Sequence, residues 1–387
     1  MRPSRGSSRL IHGRAPSGAR HGRMRVSAAR RASSGRTVIK ALLAGLGLVL
    51  SVLLLSTAFF KWNLRGGGPL LQPRFPLDKF VRDLPGHLVW LVPFLLLQAS
   101  IIPLRAVQWQ RTLRRPVPLK ERYHLVAIGA FVHNALPGKL GDVMRSFLLS
   151  RTQGIPFLRC LGSVGVCKLM EFAALMLLVS ASLLGPFGET MSRFREELRV
   201  ADFLVIGLVA LVVLLAHWSA PLAHALHRRH WLPRLEGFLH HVSEGLGTAR
   251  SFTGMARVFV FSVGPVLASA LGYGLALHGI GISGGLFAGA VVLGAISLGQ
   301  ALPGVPAGMG LYYFVTSWAA RSLGASPEDA AAFSTLTHLG TVISQVSVGA
   351  YSLHVRKIRV RDLRKGGSLA REAAHHVAHE AVEPAPP

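Results

Sequence analysis

Apolar residues run along this chain in long blocks rather than in alternation or at amphipathic spacing. Val38 to Phe60, His87 to Trp109, Leu161 to Leu184, Phe203 to Trp218, Val258 to His278 and Ala331 to Leu353 each read as a bilayer-spanning helix. Pro93 and Pro103 predict kinks in the second block, and Trp90 and Trp109 sit near its ends, where interfacial aromatics gather. Two further apolar stretches, roughly 122–159 and 285–324, carry Pro and Gly near their middles. Each must return to the side it left, or the basic loops that follow fall on the wrong face. The pattern predicts for each a pair of short spans or a re-entrant pair of half-helices. The fold class expected is all-α: a polytopic helical membrane protein with six full spans and two broken helix pairs, eight or more membrane segments in all.

Charge adds orientation. Half of the 387 residues are hydrophobic and 16% are charged, with 43 Lys+Arg against 17 Asp+Glu, a formal +26. Such an excess can signal nucleic-acid binding. Here the cations sit in tails and short loops between apolar blocks, which is the positive-inside pattern, so no nucleic-acid partner is expected. Arg111, Arg114, Arg115, Lys120 and Arg122 mark one cytoplasmic loop. Residues 220–256 form another, in which Trp231, Leu235, Phe238, Leu239, Val242 and Leu246 share one helical face and predict an amphipathic helix on the membrane surface. The basic run from His354 to Lys365 marks a third, and 356–387 reads as a cytoplasmic tail. Residues 1–37, rich in Arg, Ser and Gly and without an acid, read as a disordered cytoplasmic tail. The same composition also resembles a transit peptide, and Met24 is an alternative start. The membrane domain spans 38–355, with both termini cytoplasmic and the cell membrane as its location. Cys160 and Cys167, seven apart in one apolar block, lie two helical turns from each other, too far to bridge, and read as small buried residues.

The two broken stretches share a motif. Ala-Leu-Pro-Gly occurs at 135–138 and again at 301–304, each time after an amide, Asn134 or Gln300. Charge bookkeeping has the first entering from the cytoplasm and the second from outside. Corresponding Pro/Gly-broken segments in two halves point to a midplane binding site in an inverted repeat; chance similarity of four common residues is the plainer alternative. Broken helices expose backbone N–H groups that attract anions such as phosphate, and unpaired backbone is tolerated at membrane depth only where it lines a wet or protein-packed cavity. Pro137, Gly138 and Gly141 in the first segment, and Pro303, Gly304, Gly308 and Gly310 in the second, are therefore candidate contacts for a lipid head group, together with Asn134 and Gln300.

Charges inside the apolar blocks sharpen this. Lys139, Asp142 and Arg145 belong to the first broken stretch, Lys168 and Glu171 to the next span. A charge at mid-bilayer costs about 2.5–3.5 kcal/mol on insertion scales, so these groups must pair or face water. Asp142 with Arg145, and Lys168 with Glu171, are i,i+3 pairs on one helix face. One reading is that they simply join helices. The other is a basic pocket in which Lys139, Arg145 and Lys168 hold a phosphate-bearing head group while Asp142 and Glu171 orient them. His338, among Ser334, Thr335, Thr337 and Thr341, reads as a helix-to-helix hydrogen-bonder or a proton relay, and Tyr313 as a head-group contact or a packing residue. His224, His227 and His230 recur every third residue, but no carboxylate or Cys joins them at ligand spacing, so neither a metal nor another cofactor is expected.

At Asn134-Ala-Leu-Pro-Gly-Lys-Leu-Gly-Asp-Val-Met-Arg145 the chain resembles the transmembrane region of the lysylphosphatidylglycerol synthases, also called flippase-like integral membrane proteins. The family pattern N-x-L-P-G-x-x-G-[ED]-x-x-R is matched with Asp142 in the acidic position. A second pattern, S-V-x-x-E-R-x-x-D, is approached by Ser163 to Glu171, with Lys168 for Arg, Glu171 for Asp, and Cys167 in place of the first acid. The stretches Leu302 to Gly310 and Gly324 to His338 are similar to the family's last third, with Tyr313 about where an acid often stands. The resemblance covers about 38–355. It implies handling of lipid head groups: flipping an aminoacylated phospholipid, or assisting steps on polyprenyl-linked sugars. The full synthases add a soluble transferase domain after the membrane part. This sequence ends soon after its last span, so no lysyl transfer, and no enzyme activity, is expected of it.

Three functions follow: a lipid translocator that binds an anionic or phosphate-bearing lipid, a membrane enzyme or enzyme subunit acting on polyprenyl-linked sugar, or a non-catalytic scaffold. The partner expected is a membrane lipid, of phospholipid or polyprenyl-phosphate type, and a homo-oligomer is compatible with the sequence.

Overall fold

The structure, a computed structural model, describes residues 45, 49, 51–63, 71–73, 77–135, 140–184, 195–229, 243–299 and 310–359. By its contacts the chain divides after Val49. Before that boundary only Gly45 and Val49 are described, both helical; after it, 51–59 are helical (α1). The rest of the predicted first span, the tail 1–37, and 360–387 of the C-terminal tail lie outside the described residues.

α1 runs into the one departure from an all-helical architecture among the described residues. Phe60–Trp62 (β1) and Leu71–Pro73 (β2) pair antiparallel, with Phe60 opposite Pro73 and Trp62 opposite Leu71. Three-residue strands are too short for the alternation that would announce them in sequence.

The helices that follow are α2 (Leu77–Trp109), α3 (Leu119–Ala135), α4 (Gly141–Gln153), α5 (Phe157–Leu184) and α6 (Arg195–Arg229), then α7 (Phe252–His278), α8 (Gly285–Gly299), α9 (Leu311–Ser322) and α10 (Pro327–Val355). Local chemistry sets several of their ends. Gly154, at φ 61°, closes α4 in the left-handed conformation that favours glycine. Ser251 caps α7 by accepting from the Gly254 N–H. Ser326 caps α10 by accepting from the Asp329 N–H, with Pro327 at the first position and Glu328 and Asp329 against the positive end of the helix dipole.

Among the described residues four helical stretches are long and apolar enough to cross a membrane: Leu84–Trp109, Phe157–Ser182, Asp202–Ser219 and Phe252–His278. They match four of the six predicted spans. The predicted span at Ala331–Leu353 lies in α10, a 29-residue helix. Ser334, Thr337, His338 and Ser344, buried inside the bundle, lower its hydropathy. The predicted loop 220–256 is in part helical. α6 stays helical through Arg229 and α7 begins at Phe252, because helix hydrogen bonding outlasts the apolar run on each side. Most of the predicted surface helix lies outside the described residues; Leu246 is buried in the core.

Both broken stretches are pairs of short helices packed on each other: α3 with α4, and α8 with α9. Their lengths of 17, 13, 15 and 12 residues correspond to about 18–26 Å, short of a hydrocarbon layer of about 30 Å. The neighbour relations are paired as well. α2 packs on α3, α3 on α4 and α4 on α5, just as α7 packs on α8, α8 on α9 and α9 on α10. α10 packs on α2 and α3, as α5 does on α7 and α8, and α2 meets α7 between the two sets. One core gathers around Trp109, Leu125, Val164 and Val258, a second around Phe94, Tyr273, Leu277 and Phe333.

Small residues let these helices touch. A Cβ on Gly289 would lie 1.8 Å from the Ala270 carbonyl oxygen, and one on Gly274 would lie 2.1 Å from that of Gly285. α7 and α8 thus meet backbone to backbone along two small-xxx-small rows. Gly141 and Gly129 do the same for α4 and α3, a Cβ on Gly141 falling 2.3 Å from the Gly129 oxygen. Gly289→Val is expected to cost at least the ~1–3 kcal/mol of an overpacked core, because backbone must move. Gly165→Ala, with nothing within 4 Å of the added methyl, is expected to leave stability unchanged or slightly raised. Thermal unfolding in detergent separates the two, and equal melting points would contradict the packing described.

Candidate functional site

The close contact of Gly129 with Gly141 brings the first turn of α4 against α3 and turns Asp142 and Arg145 toward α5. There a cavity of about 410 Å³ opens between α2, α3, α4, α5, α7, α8 and α10. Charge collects at one part of its wall. Arg105 of α2 forms a two-pronged ion pair with Glu171 of α5, Nε to Oε1 at 3.1 Å and Nη2 to Oε2 at 3.0 Å. Lys168 Nζ reaches the same Oε2 at 3.4 Å from one turn away. Glu171 therefore holds two cations, and its side chain is only 10% exposed.

Arg145 is handled differently. Its side chain is 5% exposed, and its guanidinium lies 5.2 Å from the centre of the Trp109 ring. Trp109 is itself fixed by a bond from its Nε1 to Ser163 Oγ at 3.0 Å. Asp142 Oδ1 comes within 2.8 Å of Arg145 Nη2. That contact supplies charge without hydrogen-bond alignment: Nε and Nη2 of Arg145 have no hydrogen-bond partner among the described residues. Buried donors left open in this way cost about 1–3 kcal/mol each, and more when charged. Beside this wall Gln108 donates to the Cys167 carbonyl and to Ser262 Oγ, joining α2 to α5 and α7.

Of the residues singled out in the sequence, Asn134, Gly141, Asp142, Arg145, Lys168 and Glu171 line this one cavity. Pro137, Gly138, Lys139, Gln300, Pro303, Gly304 and Gly308 lie outside the described residues. Gly310, Tyr313 and His338 are not among the lining residues. Gly310, at φ 89°, packs on the Ser51 backbone. Tyr313 and Tyr312 pack against His338 with tilted rings, their centres 5.0 and 4.5 Å away. Tyr312 also joins Tyr273 (3.1 Å between hydroxyls) and donates to Thr337 Oγ1 at 3.2 Å. The second half thus builds an uncharged aromatic and hydroxyl cluster, apart from the charged wall.

Among the polar lining residues, Gln98, Arg105, His133, Ser269, Tyr273, Ser297 and Gln345 escaped the sequence reading. Arg105 carried a usable signal, a lone cation inside an apolar block two residues after Pro103. Gln98, also inside that block, carried a weaker one.

A bundle of apolar helices around a charged internal cavity, with two pairs of short broken helices, defines an integral membrane protein of helical type. The chain belongs to the family described as lysylphosphatidylglycerol synthase TM region, whose family model matches residues 46–349. No curated protein and no solved structure matches it.

The Arg105–Glu171–Lys168 group makes a stability prediction. Glu171→Gln leaves Arg105 and Lys168 uncompensated, and Arg105→Met leaves Glu171 with Lys168 alone. Each is expected to cost ~2–3 kcal/mol, less than the ~3–5 of a fully buried pair because Arg105 and Lys168 reach the cavity. The double variant Arg105→Met/Glu171→Leu should cost less than the two single changes added together. Additive losses in thermal unfolding would show that the pair is not coupled.

Proposed function

We propose that the chain binds a phosphate-bearing or anionic lipid by its head group in this cavity and moves it between leaflets of the cell membrane. The observation that carries the reading is the cationic wall: Arg145, Lys168 and Arg105 line one cavity among broken helices, with the two carboxylates Asp142 and Glu171 between them. A phosphate oxygen satisfies such donors with the charge-assisted, planar geometry that suits arginine. The paired neighbour relations of α2–α5 and α7–α10 support an inverted repeat, with α3–α4 and α8–α9 as its re-entrant hairpins. Such an arrangement suits a site reached from either side. The basic loops support cytoplasmic termini.

We take the chain to work without covalent chemistry. Asp142 and Glu171, the two carboxylates of the cavity, are each engaged by a cation, Glu171 by two. The role of a general acid or base on lipid-linked sugar therefore finds no free group among the described residues of the wall.

Lipid retained through purification in mild detergent tests the reading by mass spectrometry, wild type beside Arg145→Ala. A phosphate-bearing lipid held by the wild type and lost at least about tenfold in the variant is expected. Equal, unselective bulk lipid in two folded proteins would assign Arg145 to structure alone and favour a scaffold.

A further inference from the structure

Two arginines of the charged wall present the same fork, Nε with Nη2, and meet their carboxylates differently. Glu171 fills the fork of Arg105 from another helix, one oxygen to each nitrogen. Asp142 fills only half of the fork of Arg145. Its Oδ1 lies 2.8 Å from Nη2, the contact is not aligned as a hydrogen bond, and Nε has no hydrogen-bond partner among the described residues. The cause is local. Asp142 stands three residues before Arg145 on α4, and from there its short side chain reaches one nitrogen of the fork and not both.

Exposure differs in the same sense. The Asp142 side chain is 43% exposed and lines the cavity, whereas Glu171 and Arg145 are buried. The Arg145 guanidinium faces the Trp109 ring, and Trp109 is tied to Ser163 Oγ, so the arginine has a support that does not depend on its carboxylate. Lys168 and Arg105 also act on the Asp142 charge, so the carboxylate keeps cationic neighbours when it turns away from Arg145.

We infer that Asp142 is an exchangeable counter-ion: it holds the anion's place on Arg145 in the empty cavity, gives way to an incoming phosphate, and returns to release it. The inference rests on the reading that Arg145 takes the phosphate. Two phosphate oxygens can meet Nε and Nη2 in the parallel geometry that Asp142 lacks, which lets the ligand displace the carboxylate. Asp142 stays tethered three residues away, a competitor at high effective concentration, and so keeps the bound state from becoming too tight to leave. A carboxylate that orients Arg145, or that only favours the first turn of α4, supports binding or leaves it alone. An exchangeable one opposes binding, so the sign of the effect separates them.

The test uses the full chain in lipid-free detergent micelles with short-chain phosphatidylmethanol, a phosphodiester with one negative charge and no other polar group in its head. Native mass spectrometry reads its affinity and its rate of dissociation. Asp142→Asn keeps the shape of the side chain and removes its charge. It is expected to bind the probe about tenfold tighter than wild type, through slower dissociation. Without the probe this variant should melt below wild type, because Arg145 is left buried without its carboxylate, and saturating probe should narrow that gap. Asp142→Glu, which keeps the charge, is the second variant and should bind like wild type. Arg145→Ala should weaken binding, and adding Asp142→Asn to it should restore nothing. Equal or weaker binding by a folded Asp142→Asn, or a gain shared by Asp142→Glu, would overturn the exchange while the phosphate reading stands on Arg145→Ala. A gain of the same size in the Arg145→Ala background would overturn it too, since the loss of one negative charge from the cavity then accounts for the effect. Indifference of the probe to Arg145→Ala would remove both.

Discussion

A cation among apolar helices must meet a carboxylate or meet water, and this bundle is arranged around that constraint. Glu171 answers it for Arg105 and Lys168 at once, joining α2 to α5 through a two-pronged contact and adding a second cation from its own helix. Arg145 is answered by Asp142 from its own helix, at 2.8 Å, and rests on the Trp109 face, with its Nε outside any hydrogen bond among the described residues. The difference between the two arginines separates a cation that joins helices from one with binding capacity to spare.

Close helix contact makes the constraint bearable. Lipid chains are as apolar as leucine, so helices in a bilayer gain little from hiding apolar surface and depend on packing and interhelical polar contacts. The glycine rows of α7 and α8 and the Gly129–Gly141 contact bring backbones together. They also stiffen the walls on which the polar groups sit. A cavity between helices fixed in this way keeps its charged side chains at set distances, as a site for a small, directional head group requires.

Most of the architecture was legible in the apolar blocks, and the limits of that legibility have physical causes. The spans at His87–Trp109, Leu161–Leu184, Phe203–Trp218 and Val258–His278 announced themselves because lipid demands continuous apolar length. α10 obscured its own hydropathy by turning Ser, Thr and His inward. The β1–β2 hairpin was too short to leave a pattern. In the site, spacing on one helix gave the Asp142–Arg145 and Lys168–Glu171 pairs. Partnerships between helices, such as Arg105 with Glu171 or Asn134 with Gln345, depend on which helices meet, and periodicity does not encode that.

The two halves differ most where their neighbour relations match. Lys168 and His338 are each the twelfth residue of their helices, α5 and α10. Around Lys168 stand Glu171, Arg105 and open space; around His338 stand two tyrosine rings and no cavity wall. Tyr273, Tyr312 and Thr337 link their hydroxyls in a chain, and Thr335 and Thr337 also donate to carbonyls of their own helix. Charge in the first half is not fully met by protein, which leaves the cavity its capacity for a ligand. Similar packing with different polarity lets the first half supply the cavity's charge, while the second half supplies its uncharged wall through Ser269, Ser297, Thr341 and Gln345.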